Sequence, residues 1–220
     1  FRNAEEIKNT FVSIVSHELK TPVALIKGYV STLRREDATW DRSVVQDSLA
    51  VIEEEADHLT SMIEDLLDAS RLQAGGLNTS LSDVSLPALA GRLAERFQTQ
   101  SKRHVIVVDF PDKFPVILAD ENRISQLLSN LLSNALKYAP DGEIRVHGET
   151  RPGQVIVTIS DQGPGIDPED IPFIFDRFYR GDRDRRPPAE GFGLGLGLAR
   201  EIVRAHGGEL TLRESRPGHT

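Results

Sequence analysis

His17 stands in the run Phe11-Val-Ser-Ile-Val-Ser-His-Glu-Leu-Lys-Thr-Pro22, and its imidazole is a base and a nucleophile near neutral pH. Helix geometry decides where that ring goes. At about 100° per residue, Val15, Leu19, Pro22, Ile26, Tyr29 and Leu33 lie within about 40° of one line, the seam of a helix that pairs with another. His17 falls about 200° from Val15, on the opposite face with Lys20, Thr21 and Gly28. A lone helical histidine is more often structural or solvated than reactive. This one is on the wet side, with the carboxylate of Glu18 beside it and Pro22 just after it.

Three further segments carry chemistry. On the helix Asn130-Leu-Leu-Ser-Asn-Ala-Leu-Lys-Tyr138, the side chains of Gln126, Asn130, Asn134 and Lys137 share one face, while Leu128, Leu132 and Leu136 occupy another. Amides and an ammonium without intervening acids suit oxygen-rich anions and a hard cation. Asn134 can offer a carbonyl oxygen to Mg²⁺, and Lys137 a point charge to phosphate. By itself the segment is equally a solvated polar face.

Asp161-Gln-Gly-Pro-Gly165 follows a strand pattern directly. Gly163 and Gly165 permit tight turning and close backbone approach, and the Asp161 carboxylate can accept a hydrogen bond from an exocyclic amine such as that of adenine. A bare G-x-G is a weak signal, because turns use glycine everywhere. Gly191-Phe-Gly-Leu-Gly-Leu-Gly-Leu-Ala199 places glycines at alternate positions leading into a helix. Free N–H groups at a helix start bind phosphate. Glycine costs about 1 kcal/mol in a helix interior, so this density serves something other than folding. The spacing is neither that of a Walker A loop nor that of a Rossmann turn.

The elements that position these groups follow from periodicity. Helix one is expected over residues 4–35 and helix two from about 43 to 74, the latter carrying Val45, Leu49, Ile52, Ala56, Leu59, Ile63 and Leu66 and stopped by Gly75-Gly76. Residues 36–42 connect them, with Asp41 or Ser43 as the second helix's cap. A hairpin alone leaves Ile14, Leu25, Val30, Met62 and Leu67 uncovered, which a second copy would cure by forming a four-helix bundle; packing against the chain's own second domain is the alternative. Beyond residue 77 the expected order is strand 82–85, helix 86–101, strand 104–110, strand 116–118, a helix capped by Asp120 and running to 138, strands 143–150 and 154–160, a helix over 194–206, and a strand at 209–213. The fold class is an α helical hairpin followed by an α+β sandwich, with domains at 1–76 and 77–220.

Composition narrows the chemistry. The 220 residues are 39% hydrophobic and 27% charged, ordinary for a globular protein, and no apolar run approaches a membrane span. A net charge of −8 argues against a nucleic-acid partner, and six histidines without cysteine argue against structural zinc. The chain opens on Phe1 rather than methionine, which reads as a fragment of something longer.

In family order, His17-Glu-Leu-Lys-Thr-Pro22 resembles the H box, 130–138 the N box, 161–165 the first glycine box, Phe175 to Phe178 the F box and 193–198 the second glycine box of two-component sensor histidine kinases. The resemblance implies an ATP-binding domain of the gyrase, Hsp90 and MutL class behind a homodimeric, histidine-bearing hairpin. It implies ATP and Mg²⁺ as cofactors. Asp161 would hold adenine, Asn134 magnesium supported by Asn130, Lys137 and Tyr138 phosphate or ribose, and Gly193, Leu194, Gly195 and Leu196 the triphosphate. His17 would accept the γ-phosphoryl group, with Glu18 as base or orienting group, and pass it to an aspartate of a response regulator. Thr21 would orient water for that regulator's dephosphorylation. The family also implies a cytoplasmic position within a bacterial sensor that is membrane-anchored as a whole, although this fragment does not itself span a membrane. Phe192 departs from the small or polar residue usual before the second glycine box, and the charged stretch 181–190 reads as a lid. A nucleotide-binding protein without kinase activity and a gyrase-type ATPase are the competing classes. Intact His17, Asn134 and Asp161 oppose the first, and the leading hairpin opposes the second.

Overall fold

The computed structural model describes residues 2–35, 37–73, 79–179, 181 and 192–218, with the side chains of 2–14, 17, 18, 61, 65 and 68–73 outside that description. The chain divides into two compact units close to Arg71 and Leu72. Among the described residues no helix is long and apolar enough to cross a membrane.

The first unit holds two helices, α1 (Arg2–Leu33) and α2 (Arg42–Gln73). Along α1 from Val15 on, the residues withdrawn from solvent are Val15, Leu19, Pro22, Ile26, Tyr29 and Leu33, the seam expected from spacing. The helix continues through Pro22. Asp41 begins α2, its carbonyl accepting the Val45 N–H at 3.1 Å. The seam of α2 differs from expectation. Val45, Ser48, Ile52, Glu55, Leu59, Met62 and Leu66 are withdrawn, with Val51 and His58 beside them, whereas Leu49 and Ile63 are 53% and 51% exposed and Ala56 is also exposed. Both lines alternate threes and fours, and the helix turns inward the one that includes polar Ser48 and Glu55. Ser48 satisfies its hydroxyl locally, donating to the Val44 carbonyl at 2.7 Å. Met62, expected on the uncovered face, is buried; Leu25, Val30 and Leu67 are exposed as expected, and Ile14 lies outside the described side chains.

The second unit is a helical layer on a sheet. In order come β1 (Ser82–Val84), α3 (Leu86–Gln100), β2 (His104–Asp109), β3 (Ile117–Ala119), α4 (Glu121–Tyr138), β4 (Gly142–Arg151), β5 (Gln154–Ser160), a single 3-10 turn Ile171–Phe173, and α5 (Gly195–Ala205). The main sheet has order β2-β4-β5, with β2 and β4 parallel and β4 and β5 antiparallel; β1 and β3 pair separately as a ribbon. Ile144, Val146 and Gly148 alternate inward along β4; Ile144 and Val146 join Leu89, Leu93, Leu128, Leu132, Leu198 and Ile202 from the helices in one core, Gly148 lies under Phe110 and Phe114, and Arg145 and His147 face out to pair with Asp109. One buried face and one wet face make the two-layer α+β arrangement.

Two connections fix the helix ends. Asp120 caps α4, its carboxylate accepting the N–H groups of Arg123 at 3.1 Å and Ser80 at 2.8 Å. Its own N–H donates to Nε2 of His206 at 3.0 Å, and His206 Nδ1 donates to the Ile202 carbonyl at 2.8 Å, so the start of α4 is tied to the end of α5. Along the outer margin of β2, the Gln98 side chain accepts the Ile106 N–H at 2.9 Å and donates to the His104 carbonyl at 2.9 Å. The strand expected at 209–213 is not formed. Leu210 and Leu212 are turned inward as alternation requires, but no ladder joins their backbone to a neighbouring strand.

Candidate functional site

Helix α4 carries its apolar residues Ile124, Leu127, Leu128, Leu132 and Ala135 into the core, which leaves Gln126, Asn130 and Asn134 half-buried and Lys137 exposed along the other side. The start of α5 packs there. Asn130 Nδ2 donates to the Gly195 carbonyl at 3.4 Å, and a Cβ added at Gly195 would lie 3.8 Å from the Asn130 carboxamide carbon. At the far end of α4, Ala139 backbone lies 3.4 Å from the position of a Cβ at Gly163. The polar face of α4 therefore runs between the two glycine segments. Lys137 Nζ sits 5.6 Å from the Tyr138 ring centre, a cation–π approach that keeps the ammonium at the rim.

The loop after β5 is braced from three sides. Asp161 Oδ1 accepts the Gly163 N–H at 2.8 Å, closing an Asx turn that fixes the carboxylate. Gln162 accepts the Glu143 N–H at 2.9 Å through Oε1, and its side chain occupies the space where Gly142, at φ +101°, has no Cβ. The chain end closes the third side: Gly218 N–H donates to the Gly163 carbonyl at 2.7 Å and Ile166 N–H to Ser215 Oγ at 2.6 Å. Gly165, at φ +80°, faces the backbone of Arg216, where a Cβ would come within 3.0 Å.

Gly193 adopts φ +68° and its carbonyl accepts the Phe178 N–H at 2.9 Å. Leu194 is the N-cap residue of α5 and is buried; Gly195 and Leu196 form the first helical positions. The aromatic segment packs on this helix. Arg200 places its guanidinium 5.4 Å from the Phe175 ring centre, and Gly197 admits the Phe175 carbonyl at 3.3 Å from a Cβ position. Residues 182–191, which hold all of the expected lid but Gly181, lie outside the described residues; Phe192 is buried. In the first unit, His17 and Glu18 lie on α1 with their side chains outside the description, and Thr21, one turn on, is exposed. His104 is an ordinary buried histidine, donating from Nε2 to the Ala139 carbonyl at 3.1 Å and accepting from Ser101 at 2.7 Å. Sequence periodicity offered no signal for Gln162, Tyr179 or Asp170, whose partners lie across irregular chain.

Family comparison bears on both units. Residues 7–75 match the His Kinase A (phospho-acceptor) domain, and residues 119–220 match the histidine kinase-, DNA gyrase B- and HSP90-like ATPase. The chain belongs to the sensor histidine kinases. This kinase core is 32% identical over 212 residues to sensor histidine kinase WalK of Bacillus subtilis (strain 168), covering 94% of the core and 34% of WalK. It is 36% identical over 208 residues to sensor histidine kinase YkoH of the same organism, covering 94% of the core and 45% of YkoH. The core thus spans less than half the length of these relatives. Among solved structures, full-length ShkA in complex with AMPPNP matches with TM-score 0.67 and 27% identity over 94% of the core and 44% of that chain. The histidine kinase AdeS of Acinetobacter baumannii shares the fold, with TM-score 0.64 and 24% identity over 92% of the core and 93% of that chain. The kinase core therefore joins a phospho-acceptor helical unit to an ATP-binding unit.

Proposed function

We propose that this core transfers the γ-phosphoryl group of ATP to a ring nitrogen of His17, passes it to an aspartate of a response regulator, and also promotes that regulator's dephosphorylation. The observation that supports the reading most is the contact of Asn130 with Gly195, which brings one amide of the polar face of α4 onto a glycine-rich helix start in a chain whose leading helix carries an H-box histidine. Asp161 takes the adenine amine, Lys137 and Tyr138 meet phosphate or ribose, and Gly163 and Gly165 let the loop approach the base. Backbone at Gly193, Leu194, Gly195 and Leu196 holds the triphosphate.

Among the described residues no group of three or more acidic or histidine side chains offers a metal site, so a divalent cation would arrive with the phosphates and take the half-buried Asn134 carboxamide as its protein ligand. Bound there, Mg²⁺ would neutralise phosphate charge. At His17 a nitrogen–phosphorus bond forms as the bond to the β–γ bridging oxygen breaks, with ADP leaving. Glu18 accepts the hydrogen on the other ring nitrogen and keeps the attacking one unprotonated. Thr21 orients water for regulator dephosphorylation. A second copy packs on the exposed line Leu49, Ala56 and Ile63 with Leu25, Val30 and Leu67, giving a homodimeric bundle. We place the core in the cytoplasm as part of a membrane-anchored bacterial sensor.

Incubation with γ-labelled ATP and Mg²⁺ tests the central step. The expected label is acid-labile and base-stable and is absent from His17→Gln. No label, or label that survives His17→Gln, refutes the kinase reading.

A further inference from the structure

We infer that Tyr179 and Asp170 are positioning residues for nucleotide binding, their side-chain hydrogen bond setting the conformation of Gly193 at the start of the phosphate loop. The inference rests on the reading of that loop as an ATP site. Tyr179 Oη donates to Asp170 Oδ1 at 2.6 Å in a partly buried setting, the short distance of a hydroxyl on a carboxylate. The other carboxylate oxygen lies against Gly181, where it occupies the space a Cβ would need. The Phe173 ring packs beside the Tyr179 ring, with 5.4 Å between their centres. Both ends of the tyrosine side chain are therefore fixed.

What they fix is an unusual stretch of backbone. Phe178 has φ +66°, the one non-glycine residue with positive φ among those described. A bulky residue there is strained and persists only where its surroundings hold it. Phe178 N–H donates to the Gly193 carbonyl at 2.9 Å, and the Tyr179 carbonyl lies 2.5 Å from where a Cβ of Gly193 would stand. Two residues further, the Gly195 carbonyl receives Asn130. A continuous path leads from the Asp170 carboxylate through the Tyr179 ring and carbonyl to Gly193, and from there to the polar face of α4. With the hydroxyl removed, the carbonyl of Tyr179 is released and the left-handed turn at Phe178 relaxes.

A surface stitch of the same geometry would contribute to stability alone, and the measurements separate the two. In the 220-residue core, Tyr179→Phe and Asp170→Ala are each expected to weaken Mg·ATP binding about fivefold and raise KM for ATP alike, leaving the autophosphorylation rate at saturating ATP unchanged. Asp170→Asn, which keeps an acceptor oxygen, restores most of the affinity. The double variant binds no more weakly than either single one, because both remove the same bond. Without nucleotide, the Phe178 amide exchanges its hydrogen about tenfold faster in Tyr179→Phe, while amides of β4 keep their protection. Unchanged protection of Phe178, or losses from the two variants that add, overturns the positioning role. A wild-type core that binds no ATP overturns the nucleotide reading instead, and the exchange measurement still decides the fate of the clamp.

Discussion

Alanine at Gly193 meets two costs at once. At φ +68° an L-residue sits in the left-handed region, at about 1–2 kcal/mol. Its Cβ would also stand 2.5 Å from the Tyr179 carbonyl oxygen and 3.0 Å from the Phe178 carbonyl carbon. Both are backbone atoms, so no rotamer change makes room, and overpacking of this kind costs about 1–3 kcal/mol. The sum is about 2–5 kcal/mol. The domain avoids most of it by letting the loop shift, which gives up the Phe178–Gly193 and Asn130–Gly195 hydrogen bonds. The loss therefore appears in ligand affinity: about 30-fold or more weaker binding at the low end of that range, with one tenfold step per 1.4 kcal/mol. Gly153 provides the control, because it has φ +76° with nothing within 4 Å of a Cβ. Gly153→Ala carries the backbone cost alone, in the turn between β4 and β5, and is expected to lose about 1–2 kcal/mol of stability with unchanged nucleotide binding. Calorimetric titration with a non-hydrolysable ATP analogue and urea denaturation read the two effects separately. Gly193→Ala binding within twofold of wild type would mean that neither cost reaches the phosphate loop.

Three further outcomes are expected. Burial by itself would raise the Asp120 carboxyl, but N–H groups of Ser80, Arg123 and Asn122, with the Arg123 charge, outweigh it and hold the group below its ordinary value. Its stabilisation is complete above about pH 5 and is lost as pH falls through the lowered native value, so Asp120→Ala should cost about 1–2 kcal/mol at pH 7. Urea midpoints should show that gap narrowing in acid; a gap independent of pH would contradict the assignment. Leu132, 1% exposed between helices and sheet, should lose about 2–5 kcal/mol on truncation to alanine, read by chemical denaturation. Gly91 lies in the interior of α3 with nothing within 4 Å of a Cβ, so Gly91→Ala should raise stability by up to about 1 kcal/mol, and a fall in the melting midpoint would contradict it.

Periodicity made α1 legible because its withdrawn residues are all apolar or proline, and polar positions flank them on every turn. In α2 the same rule chose Leu49, Ala56 and Ile63 over Ser48, Glu55 and Met62, since spacing alone cannot separate two lines one residue apart. Residue chemistry then favoured the wrong one: the apolar line faces outward, and the inner line includes a serine that bonds its own helix. The α4 boundaries were legible from Asp120, an acid with free lone pairs ahead of an amphipathic run, and from Pro140 beyond it. The contact of His206 with Asp120 was not, because 86 residues separate them and neither has a periodic partner. Likewise the polar face of α4 was readable as a face, whereas its meeting with the Gly195 carbonyl depends on how two helices pack. At 209–213 the pattern correctly assigned inside and outside, but alternation carries no information about whether a neighbouring backbone lies within reach.

The two margins of the main sheet are unlike. Gln98 places a carboxamide against β2 in the manner of a one-residue strand, donating to the Ser101 and His104 carbonyls and accepting the Ile106 N–H. An exposed margin is ordinarily a template on which a second chain can condense, and a side chain that already consumes its hydrogen bonds removes the template without a proline or a bulge. Growth of this sheet by backbone pairing is consequently hindered along the stretch of β2 that Gln98 covers, at His104 and Ile106. A single exposed glutamine thus guards the domain against self-templated association. Its replacement by leucine, which preserves bulk while abolishing all three bonds, would turn a soluble margin into an adhesive one.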